Sequence, residues 1–284
     1  MIVMIKRFVK KIGRVLPDKL YISLVYFRHF HRFPDWKNPK TFTEKQQWNK
    51  LYNRNPLYTT MVDKILVKDY VGKLIGEEYI IPTLKVWEDA SDISLDELPD
   101  KFILKCNHDS KSKQRCVDKA TFDLSLAKKE LNRHLKKNAF WYGREWPYKN
   151  VKPCVFAEKL IESPDGDLKD YKVMCFNGKA KLIMLNSNRF HGELEEAMYD
   201  LDWNKTDITQ GYPSESTFEK PENLDEMLRL SEQLAKGINH VRVDWYNVNG
   251  KIYFGELTFF DGSGFVPFDN PEHDLLLGSW IDLK

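Results

Sequence analysis

The sequence predicts an α+β protein with two lobes and a cleft between them. Three observations lead to this class. The N-terminal region is predicted to be helical, the next part of the chain has strands that flank one helix, and the last part is rich in strands. A chain of 284 residues is long enough for about two domains, and its apolar content of 42% is that of a globular protein. The net charge of +2 gives no global reason to expect a nucleic-acid partner.

Residues 1–40 are predicted to form an amphipathic helical segment. Apolar residues recur at helical spacing from Ile2 to Leu16, with basic residues largely on the other side, and an aromatic-rich stretch follows at 20–33. Residues 1–33 therefore suit an anionic membrane surface. Docking of the helix on the protein's own core would produce the same pattern, and the sequence leaves both interpretations open.

No apolar run reaches the 18 residues of a membrane-spanning helix, and the N-terminus lacks the pattern of a signal peptide. The four cysteines form no C-x-x-C pair, and most lie in apolar runs, where cysteine behaves as a small hydrophobic residue. We therefore expect a reduced, cytoplasmic protein that could associate peripherally with the inner face of the cell membrane.

Residues 41–100 are predicted to be a mainly helical region that precedes the first lobe. Thr43 and Gln46 fit a capping box at the start of the first helix. Pro56 opens a second helix, because proline is well tolerated in the first helical turn. The apolar stretch at 79–86 then includes a short strand.

Residues 101–162 are predicted to form the first lobe and residues 163–284 the second. In the first lobe, buried strands alternate with a polar loop and an amphipathic helix. The second lobe contains two hairpins whose turns carry Asn-Gly, a dipeptide that favours the left-handed conformations of a tight turn. The predicted elements are strands at 102–108 and 151–162, helices at 122–137, 223–236 and 274–283, and hairpins at 170–188 and 241–257.

The hairpin at 241–257 carries the strongest functional signal in the chain. It brings Arg242, Asp244 and Glu256 onto neighbouring strands, and we expect them on one face. Two carboxylates and a guanidinium are costly to bury unless a metal ion or a phosphate neutralises them. Mg²⁺ takes one or two carboxylates and completes its shell with water and phosphate oxygens. The same residues also allow a surface hairpin with an ordinary salt bridge.

Two lysines lie at the ends of buried strands. Lys105 ends one strand and Lys172 lies near the start of another, and lysines beside apolar neighbours usually need an anion. The strand edge at 157–162 offers backbone groups to an adenine, with Glu162 close enough for a ribose hydroxyl. Together these groups suit a nucleotide with its phosphates and a divalent cation.

Seven stretches, in order along the chain, resemble the TupA-like ATP-grasp family. They are TFTEKQQW (41–48), LPDKFILKCNHDS (98–110), YGREWPYKNVKP (142–153), DYKVMCFNGK (170–179), YDLDW (199–203), KPENLDEM (220–227) and VRVDWYNVNGKIYFGELTFFDGSGF (241–265). The resemblance implies an ATP-grasp fold, with ATP and Mg²⁺ held between two α+β lobes. It also implies carboxylate–amine ligase chemistry in bacterial surface-polysaccharide biosynthesis, in which ATP phosphorylates a carboxylate and an amine displaces the acyl phosphate.

By position, the resemblance assigns roles to individual residues. Asp244 and Glu256 match the Mg²⁺ carboxylates, and Thr258 stands where the family of folds commonly has a metal-binding Asn. A hydroxyl is the weaker ligand of the two. Arg242 and Lys172 are the expected catalytic residues. The residues expected to bind ATP are Lys105, Ser110, Lys111, Ser112, Glu158, Lys159, Ile161, Glu162 and Lys172.

The loop after the first phosphate lysine departs from the family's pattern. Such loops are usually rich in glycine, so that backbone N–H groups can wrap the phosphates. Here HDSKSKQR (108–115) contains no glycine. We expect Lys111 and Lys113 to supply charge in place of backbone amides, beside the small residues Ser110 and Ser112.

The acceptor site is the least defined part of the prediction. Arginine pairs with carboxylates and aromatic rings stack on sugars, which makes polar and aromatic loop residues candidates. They are His108, Arg144, Trp146, Arg189 and Ser263, and Trp146 could equally be a packed loop aromatic. The expected partners are a carboxylated sugar or saccharide, such as a uronic acid, and an amine or amino acid. A glycosyltransferase, a sugar kinase and a catalytically weak nucleotide-binding protein remain as alternatives.

Overall fold

A computed structural model describes residues 14–188 and 194–283, which form two antiparallel sheets with helices packed on them. The predicted α+β class is confirmed. The small sheet consists of β1 (Thr83–Trp87), β2 (Phe102–Cys106), β3 (Gln114–Cys116) and β4 (Val155–Lys159). The large sheet consists of β5 (Asp170–Phe176), β6 (Lys179–Ser187), β7 (Glu195–Tyr199), β8 (His240–Val248) and β9 (Lys251–Thr258). The helices are α1 (Asp18–Phe30), α2 (Phe42–Tyr52), α3 (Leu57–Val62), α4 (Leu66–Ile75), α5 (Leu124–Leu135), α6 (Phe140–Gly143), α7 (Leu224–Leu234) and α8 (Pro271–Ser279).

The large sheet has the strand order β7-β6-β5-β8-β9 and is built from the two predicted hairpins. Asn177 and Gly178 turn β5 into β6, and Asn249 and Gly250 turn β8 into β9. All four residues have φ values between 49° and 80°, which confirms the predicted Asn-Gly turns. The strand β7 extends the sheet beyond β6, and sequence periodicity did not indicate it.

The two faces of the large sheet are buried in different ways. One face packs on α3, α4 and α7 through the largest apolar core, to which Val173, Val243 and Leu257 belong. On the opposite face, α2 and α8 cover one end, where Phe176 of β5 packs near Phe42 and Leu277. The rest of that face carries charged side chains.

The small sheet has the order β1-β4-β2-β3, and α5 packs on it. Leu131 of α5 belongs to the same apolar cluster as Phe102 and Leu104 of β2. The edge strand of the small sheet, β1, comes from the region 41–100 and pairs with β4, with Lys85 opposite Ala157. The small-lobe sheet therefore draws on residues that precede the predicted lobe.

The start of α2 corrects one local prediction. The capping box is formed by Thr41 and Glu44, not by Thr43 and Gln46. The Thr43 hydroxyl instead donates to Asp274 Oδ2 at 2.7 Å, which ties α2 to α8. The sequence contains two overlapping patterns of the same kind, and the tertiary contact with α8 decides between them.

The helix α1 docks on the rest of the protein through Ile22 and Tyr26, which pack in one cluster with Phe265. The first turns of the predicted N-terminal helix fall in residues 1–13, outside the described residues. No helix within 14–188 or 194–283 has both the length and the apolar character needed to cross a membrane.

Gly278 of α8 is expected to be essential for the packing of α8 on α2. A Cβ at this position would lie 2.1 Å from the carbonyl oxygen of Lys40 and 2.6 Å from the nitrogen of Phe42. Because both are backbone atoms, Gly278→Ala should lower the free energy of unfolding by about 1–3 kcal/mol or more, the usual cost of overpacking. Urea denaturation measures this change. The exposed neighbour provides the control, since Ser279→Ala should stay within about 0.5 kcal/mol of the parent.

Candidate functional site

A row of charged side chains crosses the open face of the large sheet. Lys172 of β5 lies opposite Asp244 of β8, and Asp244 lies opposite Glu256 of β9. Arg242 and Thr258 form the adjacent pair on β8 and β9. Since directly paired residues share a face of an antiparallel sheet, the structure brings these five predicted residues together.

A β-bulge is what places Glu256 in this row. Between the turn and the bulge, the pairing runs without interruption to Trp245 opposite Phe254. If it continued in the same register, Asp244 would lie opposite Gly255. The register instead shifts by one residue and Asp244 pairs with Glu256. A Cβ on Gly255 would lie 3.0 Å from the carbonyl oxygen of Asp244, so glycine suits this close approach.

Asp244 is held by two cations. Arg242 donates from Nε to Oδ1 at 2.7 Å and from Nη2 to Oδ2 at 2.8 Å, which makes a bidentate pair. Lys172 Nζ donates to Oδ2 at 2.6 Å. All three side chains are buried, so their charges depend on one another.

Glu256 is the more accessible carboxylate, with 35% of its side chain exposed. Lys64, which precedes α4, donates to its Oε2 at 2.8 Å, and Arg242 Nη2 lies 3.7 Å from its Oε1. Burial alone would raise the pKa of Glu256, but Lys64, Arg242 and Lys172 hold that pKa well below its ordinary value. Glu256 is therefore ionised at neutral pH. No sequence pattern indicated Lys64, because the residue reaches the site from the segment between α3 and α4, which is distant in sequence.

Two further carboxylates complete the charged network. Asp170 accepts a hydrogen bond from Lys172 at 3.3 Å, and Asp261 accepts one from Arg242. The charged network thus has more carboxylates than cations; its members are Lys64, Asp170, Lys172, Arg242, Asp244, Glu256 and Asp261.

Glu196 of β7 lies further along the same face. Asn186 of β6 pairs with it across the strands and donates to its Oε2 at 3.3 Å. Burial chiefly, with the charge of Asp261, raises the pKa of Glu196 to about 7. This carboxyl group therefore titrates near neutrality, at the edge of the charged network.

The donor set of the charged network fits Mg²⁺. Asp244 and Glu256 offer carboxylate oxygens side by side, and the Thr258 hydroxyl lies 3.4 Å from Glu256 Oε1. Oxygen ligands of this kind suit a hard cation. No cluster of three or more His, Cys, Asp or Glu side chains with metal-binding geometry occurs in residues 14–188 and 194–283. Water and phosphate oxygens would complete the shell of a Mg²⁺ ion held by these groups.

A cavity of about 210 Å³ lies between the small sheet and the large one. The side chains of Ile81 and Ile103 give it apolar walls, Lys105 gives it a cation, and Tyr246 of β8 closes it from the large sheet. All four residues predicted to bind the adenine and ribose line it. They are Glu158, Lys159, Ile161 and Glu162. Two larger clefts, of about 460 and 630 Å³, contain none of the predicted site residues.

Glu158 orients the cation of this cavity. Its two carboxylate oxygens each lie 2.6 Å from an ammonium group, Oε1 from Lys105 and Oε2 from Lys68 of α4. Burial tends to raise the pKa of Glu158, but the two lysines outweigh it and the pKa is lowered. Glu158 is therefore ionised, and it holds Lys105 at the cavity with 14% of the lysine side chain exposed.

The glycine-free loop is fixed by side chains. Ser112 is buried; its hydroxyl accepts from the backbone nitrogen of Cys106 at 2.8 Å and donates to Asp109 at 2.5 Å. Asp109 is also paired with His134 of α5. Ser110, Lys111 and Lys113 are exposed, and Lys113 lines the cavity. Ser112 therefore anchors the loop, whereas phosphate binding by the exposed residues stays a prediction.

Two acceptor candidates lie in internal contacts. The buried His108 ring contacts the carbonyl oxygen of Lys137 at 3.1 Å through Nε2. Arg144 is also buried, with its Nε 3.0 Å from Asp18 Oδ1 and its guanidinium 4.3 Å from the ring centre of Tyr21. These contacts hold His108 beside α5 and link Arg144 to α1. Both residues thus have a structural role that the sequence did not indicate.

The remaining acceptor candidates are Trp146, Arg189 and Ser263. Trp146 is buried and stacks on Tyr58 at 6.0 Å, in agreement with a packed loop aromatic. Arg189 lies outside the described residues. Ser263 lies in the loop that follows β9, two residues after Asp261 of the charged network. Ser263 is therefore the described candidate nearest in sequence to the charged network.

The arrangement of two antiparallel lobes around a cavity and a row of carboxylates and cations is that of the ATP-grasp class. Residues 44–282 match the family model described as TupA-like ATPgrasp. Because this match covers most of the chain, the protein belongs to the TupA-like ATP-grasp family, and the family suggested by the sequence motifs is confirmed. Among curated proteins, no sequence matches the chain.

The chain is also similar to solved ligase structures. D-alanine–D-alanine ligase from Helicobacter pylori is 17% identical, with a TM-score of 0.44, over 84% of this chain and 69% of that chain. The corresponding enzyme from Bacillus anthracis is 20% identical, with a TM-score of 0.41, over 70% of this chain and 57% of that chain. The ATP-grasp ligase PsnB complexed with minimal precursor, Mg and ADP is 10% identical, with a TM-score of 0.38, over 78% and 60%. The chain thus spans 54–60% of the length of the Bacillus anthracis and PsnB proteins.

The pairing of Glu158 with two lysines predicts a pH-dependent contribution to stability. Glu158→Gln leaves two largely buried ammonium groups without an anion, which should cost about 3–5 kcal/mol at pH 7. The folded-state pKa of Glu158 is lowered, so its contribution is present above the unfolded pKa and is lost as pH falls through the folded pKa. Urea denaturation from pH 7 down to pH 3 should show the two proteins converging in acid.

The matched control for this experiment is a more exposed ion pair on the same lobe. Lys101 and Glu162 interact at 2.8 Å, with 55% and 35% of their side chains exposed. Glu162→Gln should therefore cost about 0–1 kcal/mol at pH 7. Equal losses in the two variants would contradict the assigned role of Glu158.

Proposed function

We propose that this protein is a Mg²⁺-dependent ATP-grasp ligase that joins a carboxylate to an amine through an acyl phosphate. The observation that carries the proposal is the continuity between the cavity and the charged network. Tyr246 lines the cavity, and Asp244 lies two residues before it on β8, about 7 Å along the strand. A nucleotide base in the cavity would therefore have its phosphates beside the metal carboxylates.

Each part of the site has a task in this chemistry. Lys105 and Lys172 would bind the phosphates, and Arg242 would stabilise the charge that develops on the transferred phosphoryl group. Asp244, Glu256 and the Thr258 hydroxyl would hold Mg²⁺, which neutralises phosphate charge when it is bound. Positioning and charge stabilisation are the main demands of phosphoryl transfer, so a fixed array of charges is well suited to it.

The substrates follow from the family rather than from the geometry. We propose a carboxylated sugar or saccharide, such as a uronic acid, as the group that ATP activates, and an amine or amino acid as the acceptor. A carboxylate does not react with an amine until it has a good leaving group, and phosphate provides one. The product would be an amide in a bacterial surface polysaccharide or its precursor.

The metal assignment is tested best at Glu256, because its partial exposure makes a folded variant more attainable than at Asp244. Glu256→Gln should lower Mg²⁺-dependent ADP formation by about 10²–10³-fold, the loss expected when one charge-stabilising group is removed. Asp202→Asn, at an exposed turn, is the control for loss of a surface carboxylate. Circular dichroism verifies the fold of each variant, and near-normal ADP formation by Glu256→Gln would overturn the assignment.

The products of ATP distinguish the ligase from its alternatives. With ATP, Mg²⁺ and the small-molecule fraction of a bacterial extract, a ligase releases ADP and orthophosphate and makes an amide that mass spectrometry identifies. A sugar kinase releases ADP while the phosphate stays on the sugar, and a glycosyltransferase consumes a nucleotide sugar instead. Intact ATP that is bound without turnover would favour the catalytically weak nucleotide-binding protein.

The outer face of α1 supports the further proposal of contact with an anionic membrane surface. Leu20, Leu24 and Phe27 follow one another at helical spacing and are 44–49% exposed. Lys19 and Arg28 flank this apolar stripe on its two sides, which is the arrangement of a helix that lies in the membrane interface.

Substitution on this stripe tests the membrane contact. The double variant Leu24→Glu, Phe27→Glu removes apolar contacts and adds charges that anionic lipids repel, so it should sediment less with phosphatidylserine-containing vesicles at low salt. Leu126→Glu, on the exposed face of α5, is the matched control. If the parent protein fails to sediment with these vesicles, the stripe has another role.

A further inference from the structure

A polar cluster that the sequence did not reveal includes Ser263, two residues after Asp261 of the charged network. Lys50 of α2 is completely buried, and its Nζ donates to the carbonyl oxygen of Ser263 at 2.6 Å. The Ser263 hydroxyl in turn donates to Glu145 Oε1. Phe260 and Phe265 cover the ammonium group of Lys50, at 5.7 and 4.3 Å from their ring centres. We name these three polar residues, Lys50, Glu145 and Ser263, the Lys50–Glu145 cluster.

The loop that carries Ser263 is held in an unusual conformation. Gly262, Ser263 and Gly264 have φ values of 50°, 56° and 60°, so a side chain at Ser263 occupies the left-handed region. Backbone strain of this kind persists only where the surroundings fix it, and it concentrates at functional sites. The Gln47 side chain provides one such constraint, since its Nε2 donates to the carbonyl oxygen of Gly264 at 2.6 Å.

The segment that carries Glu145 is adapted to meet this loop. A Cβ on Gly143 would lie 2.3 Å from the Ser263 hydroxyl oxygen, so glycine permits the approach. Glu145 follows two residues later and accepts the hydrogen bond from Ser263. Each segment therefore has a feature that permits the contact, namely glycine at position 143 and the left-handed backbone at Ser263.

The Lys50–Glu145 cluster shares its electrostatic environment with the metal carboxylates. Burial raises the pKa of Glu145, the cation of Lys50 opposes that rise, and the charges of Asp261 and Glu256 add to it. Burial also raises the pKa of Tyr148 well above its ordinary value, with Glu145 and Glu256 contributing. Burial lowers the pKa of Lys50, against the charge of Glu145. A carboxyl group with raised proton affinity is thus linked to the charged network through Ser263, which lies two residues after Asp261.

We propose that Glu145 is the general base that takes a proton from the acceptor amine, with Lys50 and Ser263 as positioning residues. This inference rests on the proposed ligase function. An amine arrives largely as an ammonium ion and needs a free electron pair to react. Glu145 takes one proton from the ammonium ion, the nitrogen pair forms the C–N bond, and the C–O bond to phosphate breaks. Phosphate leaves with that bonding pair and takes the second proton from nitrogen.

The decisive variant is Glu145→Gln, which keeps the hydrogen-bond acceptor for Ser263 but removes the base. General-base catalysis contributes typically 10²–10⁴-fold, so amide formation with the amine identified in the extract assay should fall by about that factor. Hydroxylamine provides the comparison, because it is a neutral nucleophile at pH 7. With the same carboxylate and ATP, the rate of hydroxamate formation by Glu145→Gln should stay within about threefold of the parent's rate.

The pH dependence gives an independent readout that a purely structural role would not move. Above pH 7 the free-base fraction of an ordinary amine rises about tenfold per pH unit until it approaches the amine's own pKa. Amide formation by Glu145→Gln should rise accordingly and approach the parent rate near pH 9.5. Glu219→Gln, at an exposed site, is the control for loss of a carboxylate and should match the parent at every pH.

The outcomes separate the two proposals. If the parent makes neither amide nor hydroxamate, the ligase function fails and this inference fails with it. If the parent is active and Glu145→Gln makes amide at the parent rate at pH 7, the base assignment alone is wrong. If the variant loses hydroxamate and amide formation equally and high pH does not restore amide formation, Glu145 is structural and the inference is likewise wrong.

Discussion

A one-residue bulge at Gly255 determines on which face of the large sheet Glu256 lies. The two-residue turn at 249–250 sets a register that would pair Asp244 with Gly255, and in that register Glu256 would project to the opposite, apolar face. The extra residue shifts the pairing, so Glu256 joins Asp244 on the charged face. Because the pairing of the two proposed metal carboxylates depends on this shift, a local irregularity of the backbone is a condition for the proposed metal site.

Once the register is fixed, the bidentate pair of Arg242 and Asp244 sets the orientation of the network. Buried charges are costly to remove from water, and the cost is offset only when further hydrogen bonds satisfy the remaining groups. Lys172 donates such a bond to Asp244, and Asp261 accepts one from Arg242. The carboxylates are thereby held in place before any substrate binds, which is the condition for efficient electrostatic stabilisation.

Local patterns predicted the parts of the site that lie close together in sequence. The Asn-Gly turns gave both hairpins, and alternation on β8 placed Arg242 beside Asp244. Residues that reach the site from distant elements carried no such signal: Lys64 precedes α4 and Lys50 lies on α2, and each looks like an ordinary helical lysine. The sequence likewise did not indicate the contacts of Arg144, because its partner Asp18 belongs to α1, far away in sequence.

The helix α4 and the residues before it connect the two halves of the proposed nucleotide site. Lys64 reaches Glu256 in the large lobe, and Lys68, four residues later, reaches Glu158 in the small lobe. These lysines, together with Lys105, are each paired with a protein carboxylate, so phosphate binding would exchange one anionic partner for another. The protein's own carboxylates then offset the cost of burying the cations. A nucleotide would have to compete only with these carboxylates. Glycine-rich loops bind phosphate with neutral backbone donors, whereas in the proposed function this chain would use cations that its own acidic residues keep in position.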